Sequence, residues 1–265
     1  MQTAEPRPLL IQGAISTELD LLLQSLSHAK AQVLHGYPFT CGTLDGHPVI
    51  ISQTHVGMVN AATATAIGIL SFAPCALINQ GTAGAHDPAL YPGDIVIGAR
   101  LINLGAFTTP WADTGAGVHP ETWAIRDTRL GAGSECIKVS ALTSNETLVR
   151  IAEQTATGYA KGAVTCGTVG TSDMFNRELD RIHQLRERHH TSCEEMEAFA
   201  AAQVCAHMSV PFLSIRVISN NELHQQPYDP TTGADCQRFV LQTVRALIAH
   251  QQPIDRKSTR LNSSH

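Results

Sequence analysis

Apolar positions along this chain fall into two textures. Short aliphatic and β-branched runs, apolar on both sides of the backbone, occur at Leu9 to Gln12, Pro48 to Gln53, Ala76 to Asn79, Asp94 to Ala99, Gly162 to Cys166 and Phe212 to Ile218. Longer stretches with helical spacing occur at Ser16 to Leu26, Asn60 to Leu70, Asn145 to Thr157, Glu195 to His207 and Cys236 to His250. The first kind reads as strands buried between helical layers, the second as the helices that bury them. Their alternation predicts one α/β domain with a largely parallel central sheet. The segment from Leu104 to Glu135, rich in Gly, Pro and Thr with two tryptophans, breaks the alternation. A loop of that length inside a compact domain is expected at the rim of a ligand site.

Composition narrows the ligand. At 43% hydrophobic, 265 residues hold enough apolar content for a substantial core, yet no run approaches the ~18 apolar residues of a membrane span. The N-terminal apolar patch is too short and interrupted for a secretion signal. With 18 basic and 23 acidic residues the net charge is -5, which argues against nucleic acid or an anionic membrane and for a small soluble partner. The seven cysteines form no CxxC or zinc-ligand spacing, as expected of buried thiols in a reducing, cytoplasmic compartment. The residues from Asp255 to His265 are polar and patternless and read like a translated sequencing adapter. Residues 1–252 are therefore taken as the domain and 253–265 as a non-native or disordered tail.

In open α/β sheets, ligands sit beyond the carboxyl ends of the strands. Five strand exits carry small and polar residues: QGAISTE from Gln12, with Ser16 as the expected cap of a helix holding Glu18; THVGMVN from Thr54; NQGTAG from Asn79; TCGTVGTSDMFN from Thr165; and SNNE from Ser219. A cluster of carboxylates, Glu194-Glu-Met-Glu197, stands where an Ala-rich helix is expected to start. Each piece alone has a bland explanation: a tight turn for NQGTAG, a helix-dipole partner for Glu18, Glu195 or Glu197, a turn residue for Asp94 or Asn220. Their ordered arrival at successive strand exits does not.

QGAISTE, HVGMVNAA, INQGTAGAHDP, PGDIVIG, CGTVGTSDMFN, EEMEAFAAAQVC and VPFLSIRVISN together resemble the nucleoside phosphorylase/nucleosidase superfamily, closest to its 5'-methylthioadenosine/S-adenosylhomocysteine nucleosidases, over about residues 9 to 250. The resemblance implies a single α/β domain whose central mixed, largely parallel twisted sheet is flanked by helices and partly closed into a barrel, a homodimer, and cleavage of a purine nucleoside's N-glycosidic bond without metal or organic cofactor. That reaction builds positive charge on the sugar and negative charge on the base, so it calls for carboxylates by the sugar and a donor at N7. Carried over residue by residue, the resemblance implies that Glu18 activates water and that Glu197 grips the ribose hydroxyls, with Met196 below the sugar. It implies further that Phe175 stacks on the base, that the backbone around Asn176 reads its edge, and that Arg216 orients the acidic cluster. Thr82, Gly84, Glu195, Ser219 and Val59 complete the implied substrate-binding set. Neighbouring carboxylates raise one another's pKa, which would help Glu18 act as a base near neutrality.

Phosphate needs arginines or an amide cradle. The first glycine motif has no Arg, and Asn79-Gln80 stands before the GTAG turn where hexameric phosphorylases place one, so water is the expected acceptor. Nucleosidases of this type end the last strand in Ser-Asp, the acid protonating N7, but this chain has Ser219-Asn220. An amide donates a hydrogen bond and transfers no proton. Three readings stay open: a nucleosidase with Glu222 or water as proton source, an enzyme for 6-oxopurine nucleosides of the inosine or futalosine type, and a nucleoside-binding protein without catalysis. A phosphorylase subunit in a larger ring is a further alternative.

Overall fold

Alternate residues of the buried strands feed two separate apolar layers, which is why their sequences are apolar throughout. The computed structural model describes residues 6–250, so the tail at 253–265 lies outside the described residues. The strands are β1 (Leu9–Gly13), β2 (Ser27–Leu34), β3 (Tyr37–Leu44), β4 (His47–Gln53), β5 (Ala76–Ala85), β6 (Ile95–Asn103), β7 (Phe107–Thr108), β8 (Ala124–Ile125), β9 (Thr128–Leu130), β10 (Ile137–Val139), β11 (Leu142–Thr143), β12 (Val164–Thr171), β13 (Thr191–Glu195) and β14 (Phe212–Asn220). The helices are α1 (Asp20–Gln24), α2 (Met58–Phe72), α3 (Glu146–Thr155), α4 (Leu179–His189), α5 (Ala198–Met208) and α6 (Thr232–Ala249). Leu10, Leu77, Phe212 and Ile218 pack toward Phe199 of α5. Leu9, Ile11, Ile78, Leu213, Ile215 and Val217 pack toward Phe239 and Val244 of α6. Such double-sided burial is the signature of strands covered on both faces.

The main sheet runs β11-β6-β12-β13-β5-β1-β4-β3-β2, and β14 pairs with both β5 and β6. The ring β6-β12-β13-β5-β14 is thereby closed into a small barrel, with β14 parallel to β5 and antiparallel to β6. Closure removes the edges there. Among the described residues no helix is long and apolar enough to cross a membrane.

Several elements differ from the pattern-based expectation. The hairpin β2–β3 goes unseen because β2 is exposed along nearly its whole length and shows no core face. NQGTAG is no turn: β5 continues through it to Ala85, so its polar residues stand on a strand. Ser16 does not cap a helix; a 3-10 turn spans Ser16–Glu18 without a side-chain cap, and α1 begins only at Asp20. Glu195 ends β13, and α5 starts three residues later at Ala198. The segment 104–135 carries β7, β8 and β9, with Phe107 pairing Ile125. Asn145 caps α3, its Oδ1 accepting the Thr147 and Leu148 N–H groups.

Candidate active site

The carboxyl ends of β1, β5, β13 and β14 converge on one cleft of about 180 Å³. Glu18, Thr82, Gly84, Phe175, Glu195, Met196, Glu197, Ser219 and Asn220 all line it.

Glu18 is fixed from three sides. Its Oε2 accepts the Ala14 N–H at 2.9 Å, and its Oε1 accepts the Thr82 N–H at 2.8 Å and the Thr82 hydroxyl at 3.1 Å. Gln80 holds the turn by donating from Nε2 to the Glu18 carbonyl at 2.7 Å. Gly81 is required by close approach, since a Cβ there would stand 2.7 Å from Glu18 Oε1.

Glu197 enters from the other side, its Oε1 accepting the Gly57 N–H at 2.7 Å. Its pKa is pushed up to about 8, first by burial and then by the charge of Glu195, with Glu18 adding to the rise; the Gly57 N–H and Arg216 oppose it.

Glu195 turns its charge toward protein groups. It forms a buried ion pair with Arg216 Nη2 at 2.6 Å and accepts the Thr171 hydroxyl and the Glu197 and Ala198 N–H groups at the start of α5. Arg216 also donates to Asn79 Oδ1. A buried charge with this many partners positions its neighbours. The bland reading holds for Asp94, whose carboxylate accepts the Tyr91 and Ala163 N–H groups at 2.7 Å each.

Asn220 is 2% exposed, and its Oδ1 accepts the Ser219 hydroxyl at 3.0 Å. This leaves the amide nitrogen as the group offered to a ligand, 3.5 Å from Glu222 Oε1. The turn-closing role falls to Asn221, whose side chain accepts the Leu223 N–H and donates to the Leu90 carbonyl.

Two expected contacts are not where the motifs put them. Val59 lies on the outer side of α2, 76% exposed and outside the cleft lining, because α2 starts at Met58 and turns it outward; Val56 lines the cleft instead. Asn176 sits behind the cleft with its N–H and its side-chain amide both donating to Glu194, at 2.8 and 2.6 Å. Glu194 lines the cleft and received no role from the motifs; its place beside Glu195 and Glu197 was the one available signal. Tyr228, from the segment after SNNE, lines the cleft too. Among the described residues, none of the lining side chains is Arg or Lys.

Comparison with known proteins shows which chains this one is similar to. A 5'-methylthioadenosine/S-adenosylhomocysteine nucleosidase of Geobacillus sp. (strain WCH70) is 32% identical over 215 residues, 79% of this chain and 84% of the relative. One from Lysinibacillus sphaericus (strain C3-41) is 31% identical over 213 residues, 78% and 84% of the two chains. Among solved structures, the nucleosidase of that name from Neisseria meningitidis, in complex with methylthio-immucillin-A, superposes with a TM-score of 0.74 at 26% identity, covering 91% of this chain and 99% of that one. The sequence profile of the phosphorylase superfamily matches residues 8–249, and the chain belongs to that superfamily.

Proposed function

We propose that the protein hydrolyses the N-glycosidic bond of a purine nucleoside of the 5'-methylthioadenosine/S-adenosylhomocysteine type, releasing the free base and the ribose moiety. The observation that carries this reading is the pairing of Glu18 and Glu197 in a cleft whose lining offers no cationic side chain for phosphate. Glu18, held by Ala14 and Thr82, takes a proton from water as that water attacks the anomeric carbon. Glu197 holds the ribose hydroxyls over Met196, and Phe175 stacks on the base. Arg216 acts through Glu195 as a positioning residue. As the C–N bond breaks, Asn220 donates a hydrogen bond to N7, and the departing base takes its proton from solvent or from Glu222 through water.

Phe175 is 56% exposed, Val56 and Met174 of the cleft lining are also exposed, and Val59 stands exposed beside Val56 on the outer side of α2. An apolar rim of this kind suits a second copy of the chain, so the active form is a homodimer. All seven cysteines are free thiols, which suits the cytoplasm, and the substrate type belongs to methionine salvage. The test is chromatographic detection of free base in phosphate-free buffer, with 5'-methylthioadenosine and inosine in parallel. Base release that appears only on adding phosphate would make the protein a phosphorylase, and tight nucleoside binding without release would make it a binding protein.

A further inference from the structure

Glu194 and Asn220 stand on opposite flanks of one glycine. Gly84 of β5 pairs with Glu194 of β13 on one side and with Asn220 of β14 on the other. A Cβ at Gly84 would meet Asn220 Nδ2 at 3.2 Å, so the face above this glycine is the one that carries the two polar side chains. Strand spacing puts their Cα atoms about 10 Å apart. That is close to the length of a purine with a hydrogen bond at each end. The bare backbone of Gly84 forms the floor between them, and both lie in the cleft.

The carboxylate of Glu194 is 5% exposed and built into place. Asn176 holds it through its N–H at 2.8 Å and its side-chain amide at 2.6 Å, and the buried His86 Nε2 stands 3.4 Å from Oε2. His86 is itself fixed through Nδ1 to the Thr191 hydroxyl at 2.8 Å. A carboxylate has about four acceptor positions. Those three neighbours leave capacity for one more donor.

From this juxtaposition we infer that Glu194 is a specificity-determining residue that accepts a hydrogen bond from an N–H on the six-membered ring of the base, while Asn220 donates at N7. The inference rests on the purine-nucleoside reading above. The donor is either the exocyclic amine of a 6-aminopurine or the N1–H of a 6-oxopurine. Both present an N–H to Glu194, and unsubstituted purine presents neither.

The test is a cycle of protein and ligand edits: wild type, Glu194→Ala and Glu194→Gln against 5'-methylthioadenosine, inosine and purine riboside. Glu194→Ala should lower kcat/KM by roughly 10- to 150-fold on whichever donor-bearing nucleoside the wild type prefers, the loss of a hydrogen bond to a charged group. On purine riboside it should change kcat/KM by no more than about twofold. That preference also identifies the donor as amine or N1–H. Equal losses on all three nucleosides would reduce Glu194 to a support for Asn176 and overturn the inference. Should the variants fail to fold, wild-type affinities for free adenine, hypoxanthine and purine decide, and equal affinity for all three overturns it. A wild type that cleaves no purine nucleoside and binds no purine overturns the nucleosidase reading, and this inference with it.

Discussion

Replacing Glu18 with Gln changes one atom in a side chain of the cleft that three hydrogen bonds hold. In the wild type, Oε2 accepts the Ala14 N–H at 2.9 Å and Oε1 accepts the Thr82 N–H at 2.8 Å. The amide nitrogen of Gln must replace one of those oxygens and face a backbone donor, leaving a buried N–H without an acceptor. That costs about 1–3 kcal/mol. For a domain of this size the melting temperature should fall by roughly 2–12 °C, well short of unfolding. Activity should suffer far more, because removing a general base costs roughly 10²–10⁴ in rate. The assay is single-turnover base release under saturating substrate, paired with a thermal melt and a binding titration. A folded Glu18→Gln protein that binds substrate and keeps kcat within about tenfold of the wild type would refute the assignment of the base.

Asn220→Asp should raise turnover of adenine nucleosides, since Glu222 lies 3.5 Å from the side chain and a like charge would raise the new acid's pKa toward its working range; lower turnover with no gain on any adenine substrate would instead favour the 6-oxopurine reading. Glu197, raised to about 8 against an ordinary 4.5, binds its proton more tightly folded than unfolded. Its stabilising contribution is therefore full below about 4.5 and is lost as pH rises to about 8, by up to roughly 5 kcal/mol. Urea melts of wild type and Glu197→Gln across that window check this, and parallel slopes would count against it. Val59→Arg places a charge on the exposed rim and should turn a dimer into a monomer by light scattering, with an unchanged mass speaking against that face as the interface.

Much of this protein is legible without coordinates, because double-sided burial writes itself as continuous apolar runs. Leu9 to Gln12 and Phe212 to Ile218 read as buried strands, and helical spacing revealed the layers that cover them. The motifs likewise pointed to Glu18, Glu197, Phe175 and Asn220, all of which meet in one cleft. What pattern could not reveal depends on partners distant in the chain. β2 and β3 hold each other through backbone hydrogen bonds that leave no mark on an exposed strand. Val59 is turned outward by where α2 begins, and Asn176 is withdrawn from the cleft by its bonds to Glu194. Arg216, Glu195 and Asn79 form one buried cluster only because β14 and β13 both lie against β5. Residue order determined which chemistry was present; sheet register decided which side chains share a face of Gly84, since register is set by pairing between strands more than a hundred residues apart and not by any local spacing.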